Sequence, residues 1–167
     1  AANGGGTGIF MNSAQGGMVT ADNRLPGAKE ARTWEECRRI GYLLAEEALR
    51  IVQGAPEQKN PKLSCAAREL VLPVDSPLMR ALLKELPDSP GTEAKSVTTQ
   101  LNLVWIGNAQ ILTIPGEALP NIGFYLKRKM RGTHNLLFGL TNDAFGYILA
   151  KEDFDSFERY NYITRTS

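Results

Sequence analysis

Two segments place groups capable of chemistry where an apolar run gives way to a loop. The first is LTIPGEALP, residues 112–120, in which Pro-Gly ends the run and Glu117 follows it. A carboxylate there either complements the positive end of a helix dipole or points outward from the end of a strand, where α/β proteins commonly build sites. The second is GLTNDAFGYI, residues 139–148, with Asn142, Asp143 and Tyr147 at the mouth of its loop. Taken singly, each reads as a turn before it reads as a site.

Other reactive side chains have simpler explanations. GGGTG near the start lacks the Gly-Lys-Ser/Thr ending of a phosphate loop. Lys127, Arg128, Lys129 and Arg131 cluster where cations complement a helix C-terminus. Cys37 falls on an apolar helical face and reads as a packed thiol, while Cys65 follows a loop. With two cysteines, neither a disulfide scaffold nor an all-thiolate metal site is available. His134 is the only histidine, so neither a His-rich metal site nor a Ser-His-Asp triad with its base elsewhere can be built from this chain alone. Nineteen basic against eighteen acidic residues leave a net charge of +1, which gives no composition-level case for nucleic acid.

The 167 residues are enough for one domain with a real core. Residues 8–12 (GIFMN) are a short apolar run compatible with a buried strand, followed by a loop with Gly16-Gly17 and a turn at Leu25-Pro26-Gly27. From Thr33 the period becomes helical. Thr33 and Glu36 have capping-box spacing; Cys37, Ile40, Leu44, Ala48 and Ile51 form one apolar face; Gly54 marks the stop. A proline-containing loop (55–64) leads to a strand over 69–74, and Ser76-Pro77 opens a short helix running to Leu86. After the loop PDSPG, residues 97–106 alternate, with Val97, Thr99, Leu101, Leu103 and Trp105 on one face. Gly107-Asn108 then makes a hairpin to a strand over 109–114. The pattern predicts a helix over 117–130 and a further buried strand over 135–140. Interleaved strands and helices make the class α/β or α+β, a mixed sheet flanked by helices.

In this order and at this spacing, PGE at residues 115–117 and Tyr147 of LTNDAFGYI thirty residues later resemble the second half of the catalytic domain of neutral (non-lysosomal) ceramidases. GIFMNSAQGGMVTAD near the start resembles that family's glycine-containing site segment, and FDSFERYNYITRTS its tyrosine-containing tail. The family consists of zinc-dependent amidases that cut the N-acyl bond of ceramide. Its zinc is held by two histidines from earlier in the chain and by a glutamate and a tyrosine from later. The resemblance implies that Glu117 and Tyr147 are zinc ligands, with Tyr160 and Tyr162 as other matches for the tyrosine. It implies that Thr20 supplies a hydroxyl near the position of the family's site serine. The implied chemistry is amide hydrolysis of a lipid-like substrate by metal-activated water.

The histidine ligands have no counterpart, because His134 lies between Glu117 and Tyr147. The expectation is therefore that the chain is the later part of a ceramidase-like domain. A second polypeptide or an N-terminal half would carry the missing histidines and cover apolar surface left open without it. The resemblance also implies an extracytoplasmic setting and a peripheral contact with membrane. The alternative is a non-catalytic relative, a binding or structural module that keeps the fold and has lost the site. Glu117 and Tyr147 are expected to stand near each other at the ends of neighbouring strands.

Overall fold

A computed structural model of the chain describes residues 8–18, 31–85 and 95–154. Two compact units emerge, one formed by residues 18–61 and the other by residues 1–17 and 62–167.

The smaller unit is built on helix α1, Trp34–Gly54. Thr33 caps it as the spacing predicts, its side chain accepting from the Glu36 amide at 3.3 Å. The Glu36 carboxylate turns instead to Arg39, and Glu47 pairs in the same way with Arg50 one turn from the end. These pairs hold the Glu36 and Glu47 carboxyls below the usual carboxylate range, chiefly through the side-chain hydrogen bonds from Arg39 and Arg50. A carboxyl whose pKa falls on folding stabilises the fold above its unfolded pKa, and that contribution fades as pH drops through the folded value. Acidification through the carboxylate range should therefore lower α1 helicity slightly, an effect that added salt should mask, as far-UV circular dichroism would read. The predicted apolar face is present but open. Leu44 and Ile51 are more than half exposed, and Cys37 is an exposed free thiol rather than a packed one.

The larger unit carries a four-stranded mixed sheet. Its strands are β1 (Leu63–Pro73), β2 (Ser96–Ile106), β3 (Ala109–Thr113) and β5 (His134–Phe138), in the spatial order β1-β2-β3-β5. β1 and β2 run antiparallel in unbroken register from Leu63↔Ile106 to Pro73↔Ser96. β1 thus begins six residues before the strand predicted at 69–74. The segment LSCAAR has few β-branched or aromatic residues and little alternation, so its pairing comes from the long β2 beside it. β2 turns into β3 through the expected two-residue hairpin, with Gly107 at φ 58°. Between β1 and β2, Ser76 caps the short helix α2 (Pro77–Lys84), accepting from the Met79 amide at 3.3 Å. Cys65 is an exposed free thiol on β1. Among the described residues, no helix is long and apolar enough to cross a membrane.

β3 and β5 are parallel, from Ala109↔His134 to Thr113↔Phe138, and helix α3 (Pro120–Lys129) is the crossover between them. Ile122, Leu126 and Met130, one turn apart along α3, pack on the buried cluster Ile114, Ala118 and Leu137. Gln110 fastens the far end of this layer. It is 5% exposed, and its Oε1 accepts from the amides of Arg131 at 2.7 Å and Gly132 at 3.1 Å. Gln110→Ala would leave two donors without that partner, so a loss of about 1–3 kcal/mol in unfolding free energy is expected by denaturant titration.

Candidate functional site

The predicted helix start at Glu117 is corrected by the structure. Pro120 occupies the first turn of α3, and Leu119 before it is extended at φ −66°, ψ 153°. A residue preceding proline is pushed out of the α region, so the helix cannot reach back to Glu117. Glu117 and Ala118 instead form a two-residue strand, β4, parallel to a second one, β6 (Tyr147–Ile148). In this ladder Glu117 stands directly opposite Tyr147, and Ala118 opposite Ile148.

Strand neighbours lie roughly 4.8 Å apart, and directly opposed residues project to the same face of the ladder. The carboxylate and the phenol thus share one face, both half-buried. Backbone hydrogen bonds fix the pairing on either side: the Glu117 amide donates to the Gly146 carbonyl at 2.8 Å, and the Leu119 amide to the Ile148 carbonyl at 3.0 Å.

Small residues let the surrounding chain close on this pair. A Cβ at Gly116 would stand 2.7 Å from the Gly146 carbonyl oxygen, and Gly146 itself has φ 86°. The segment before residue 18 packs along the other side. The Gly16 amide donates to the Ala118 carbonyl at 2.9 Å, and the Gly139 amide to the Asn12 carbonyl at 2.9 Å. Residues 8–12, expected as a buried strand, are not one: Ile9 is 82% and Phe10 78% exposed, and no ladder includes them.

Asn142 and Asp143 serve the loop between β5 and β6 rather than the pair itself. Asn142, at φ 78°, donates from Nδ2 to the Gln100 carbonyl and to Thr113 Oγ1. The buried Thr99 hydroxyl donates to the Asp143 carboxylate. Both contacts tie the loop to β2 and to the end of β3. With Glu69, Thr98 and Gln100 these residues line an open polar cleft of about 400 Å³, which neither Glu117 nor Tyr147 lines. Sequence reasoning placed Asn142 and Asp143 at the loop mouth but had no signal for Glu69, Thr98 and Thr99, whose place in the cleft arises from long-range pairing.

Tetrahedral zinc takes four ligands. Glu117 and Tyr147 offer two oxygens on one face, yet no group of three or more His, Cys, Asp or Glu side chains converges among the described residues. His134 is exposed at the opposite end of β5, roughly 13 Å of strand away from Phe138. Among the described residues the pair alone does not make up a four-ligand zinc site. Thr20, Tyr160 and Tyr162 lie outside the described residues.

These features define a mixed α/β sheet with a parallel β–α–β crossover that ends in a paired glutamate and tyrosine. The same fold is found in neutral ceramidase. The crystal structure of neutral ceramidase from Pseudomonas aeruginosa superposes with a TM-score of 0.58 at 15% identity, over 86% of this chain and 31% of the ceramidase. A ceramidase complexed with C2 gives a TM-score of 0.57 at 15% identity, over 84% of this chain and 32% of that one. The chain therefore has a ceramidase-like fold and spans about a third of the length of the structures it matches. No protein-family model matches the sequence, and no curated protein matches it at a significant level.

Proposed function

We propose that the chain is the later part of a ceramidase-like zinc amidase that cleaves the N-acyl bond of a lipid-like substrate by metal-activated water. The observation that carries this reading is the Glu117↔Tyr147 register, which brings together the two residues that the resemblance names as oxygen ligands. This chain spans about a third of the length of the ceramidase structures, which leaves room for the remaining ligands on a further segment. In this proposal a second segment supplies two histidines and Thr20 contributes a hydroxyl. By the same likeness the assembly works outside the cytoplasm.

Open apolar surface supports the need for that segment. On the sheet face away from α3, Leu63 is 74%, Val71 56%, Ile106 42% and Leu136 44% exposed. That no third and fourth ligand converge among the described residues favours one competing reading, a ceramidase-like binding module without catalysis. The two are separated by native purification followed by elemental analysis and by release of fatty acid from a panel of N-acyl lipids. Stoichiometric zinc with a co-purifying polypeptide and amide cleavage supports the amidase. An isolated, metal-free monomer that unfolds cooperatively rejects it in favour of the module.

A further inference from the structure

The core-facing positions of α3 leave Asn121, Phe124, Tyr125, Arg128 and Lys129 as its outer stripe, spaced at i, i+3, i+4, i+7 and i+8. Phe124 is 60% and Tyr125 53% exposed. Arg128 and Lys129 follow one turn later, flanked by Lys127 and Arg131, and Lys129 Nζ sits 5.3 Å from the centre of the Tyr125 ring. From residue 118 to residue 142 the sequence holds these four cations and no carboxylate. None of the four forms a salt bridge among the described residues. Beside Phe124, a shallow hollow of about 140 Å³ is lined by Ser13, Ala14, Pro120, Gly123 and Lys127.

A favourable helix dipole accounts for cations in the last turn, but it does not account for two neighbouring aromatic rings held out in water. An interface between water and an anionic bilayer accounts for both. Aromatic rings seat at headgroup depth, and lysine and arginine side chains meet lipid phosphates beside them. A nucleic-acid face fits less well, because the whole chain is nearly neutral and its cations gather at one helix end.

We propose that the outer stripe of α3 docks on an anionic lipid surface with the helix axis along the interface. The docking stands independently of zinc or amide cleavage.

The test is co-sedimentation of the full chain with phosphatidylcholine vesicles, with and without phosphatidylglycerol. Binding is expected only with the anionic lipid and should weaken as salt rises. Arg128→Ala with Lys129→Ala should lower partitioning about 30-fold, at roughly 1 kcal/mol per cation. Phe124→Ala with Tyr125→Ala should lower it about tenfold or more through lost apolar contact. The exchange Arg128→Lys with Lys129→Arg keeps the charge and should bind as wild type, and all variants should unfold at the wild-type midpoint. Absence of binding to anionic vesicles, or undiminished binding by both double-alanine variants, overturns the proposal. Tighter binding to a short DNA duplex than to vesicles overturns it in favour of a nucleic-acid face.

Discussion

Gly116→Ala should force Glu117 and Tyr147 apart and destabilise the larger unit by about 1–3 kcal/mol, the usual cost of inserting a methyl into a filled space. The methyl would stand 2.7 Å from the Gly146 carbonyl oxygen and press on the Ile148 side chain at 3.1 Å. The first of these neighbours is backbone, immediately before the strand that Glu117 pairs with, so relief requires the ladder to open. The Glu117 amide, which donates to that same carbonyl, should then lose protection in hydrogen exchange. Gly16→Ala should act on the other side of β4, because its methyl would meet the Glu117 and Ala118 carbonyls. Gly8→Ala is the control: nothing lies within 4 Å of the added carbon, and wild-type stability is expected. Wild-type exchange at Glu117 in Gly116→Ala would show that the close approach does not hold the pair.

The parts of this fold that were legible in the sequence are those fixed by neighbours in the chain. Thr33 and Ser76 announce the starts of α1 and α2 because a cap is a contact over three residues. The β2–β3 hairpin follows from alternation and from Gly107, since turn geometry sets register locally. β4 and β6 have no such signature. Two residues each are too short for a period, and their pairing spans thirty positions, so only the likeness of the surrounding motifs brought Glu117 and Tyr147 together. The sequence predicts a helix from residue 117, directly after Pro115-Gly116, yet the backbone restriction before Pro120 keeps residues 117–119 out of it. The apolar run at 8–12 has the composition of a strand and finds no ladder, and the α1 face has helical period and finds no cover among the described residues. Periodicity reports which face an element would bury, not whether anything is there to bury it against.

That distinction bears on the substitutions expected to matter most. If the proposed amidase reading holds, Glu117→Gln and Tyr147→Phe in the complex with the second segment should each abolish stoichiometric zinc and reduce fatty-acid release from N-acyl lipids by more than about 100-fold. The loss of a direct ligand should exceed the 10–100-fold typical of its supporting groups. Glutamine keeps the shape of Glu117 and removes the negative charge that a dication requires. Phenylalanine keeps the ring of Tyr147 and removes its oxygen. A phenol with an ordinary pKa near about 10 is a poor ligand until its proton leaves, and a cation beside it favours that loss. Zinc should therefore bind more weakly as pH falls, and Tyr147→Phe should remove part of that dependence. Because neither residue belongs to the buried cluster, the variants should remain folded, as their unfolding transitions would check. Zinc retained in full by both variants would mean that other residues hold the metal. Zinc lost by both, from a wild type that holds zinc but cleaves no amide, would keep the paired ligands and reject the substrate.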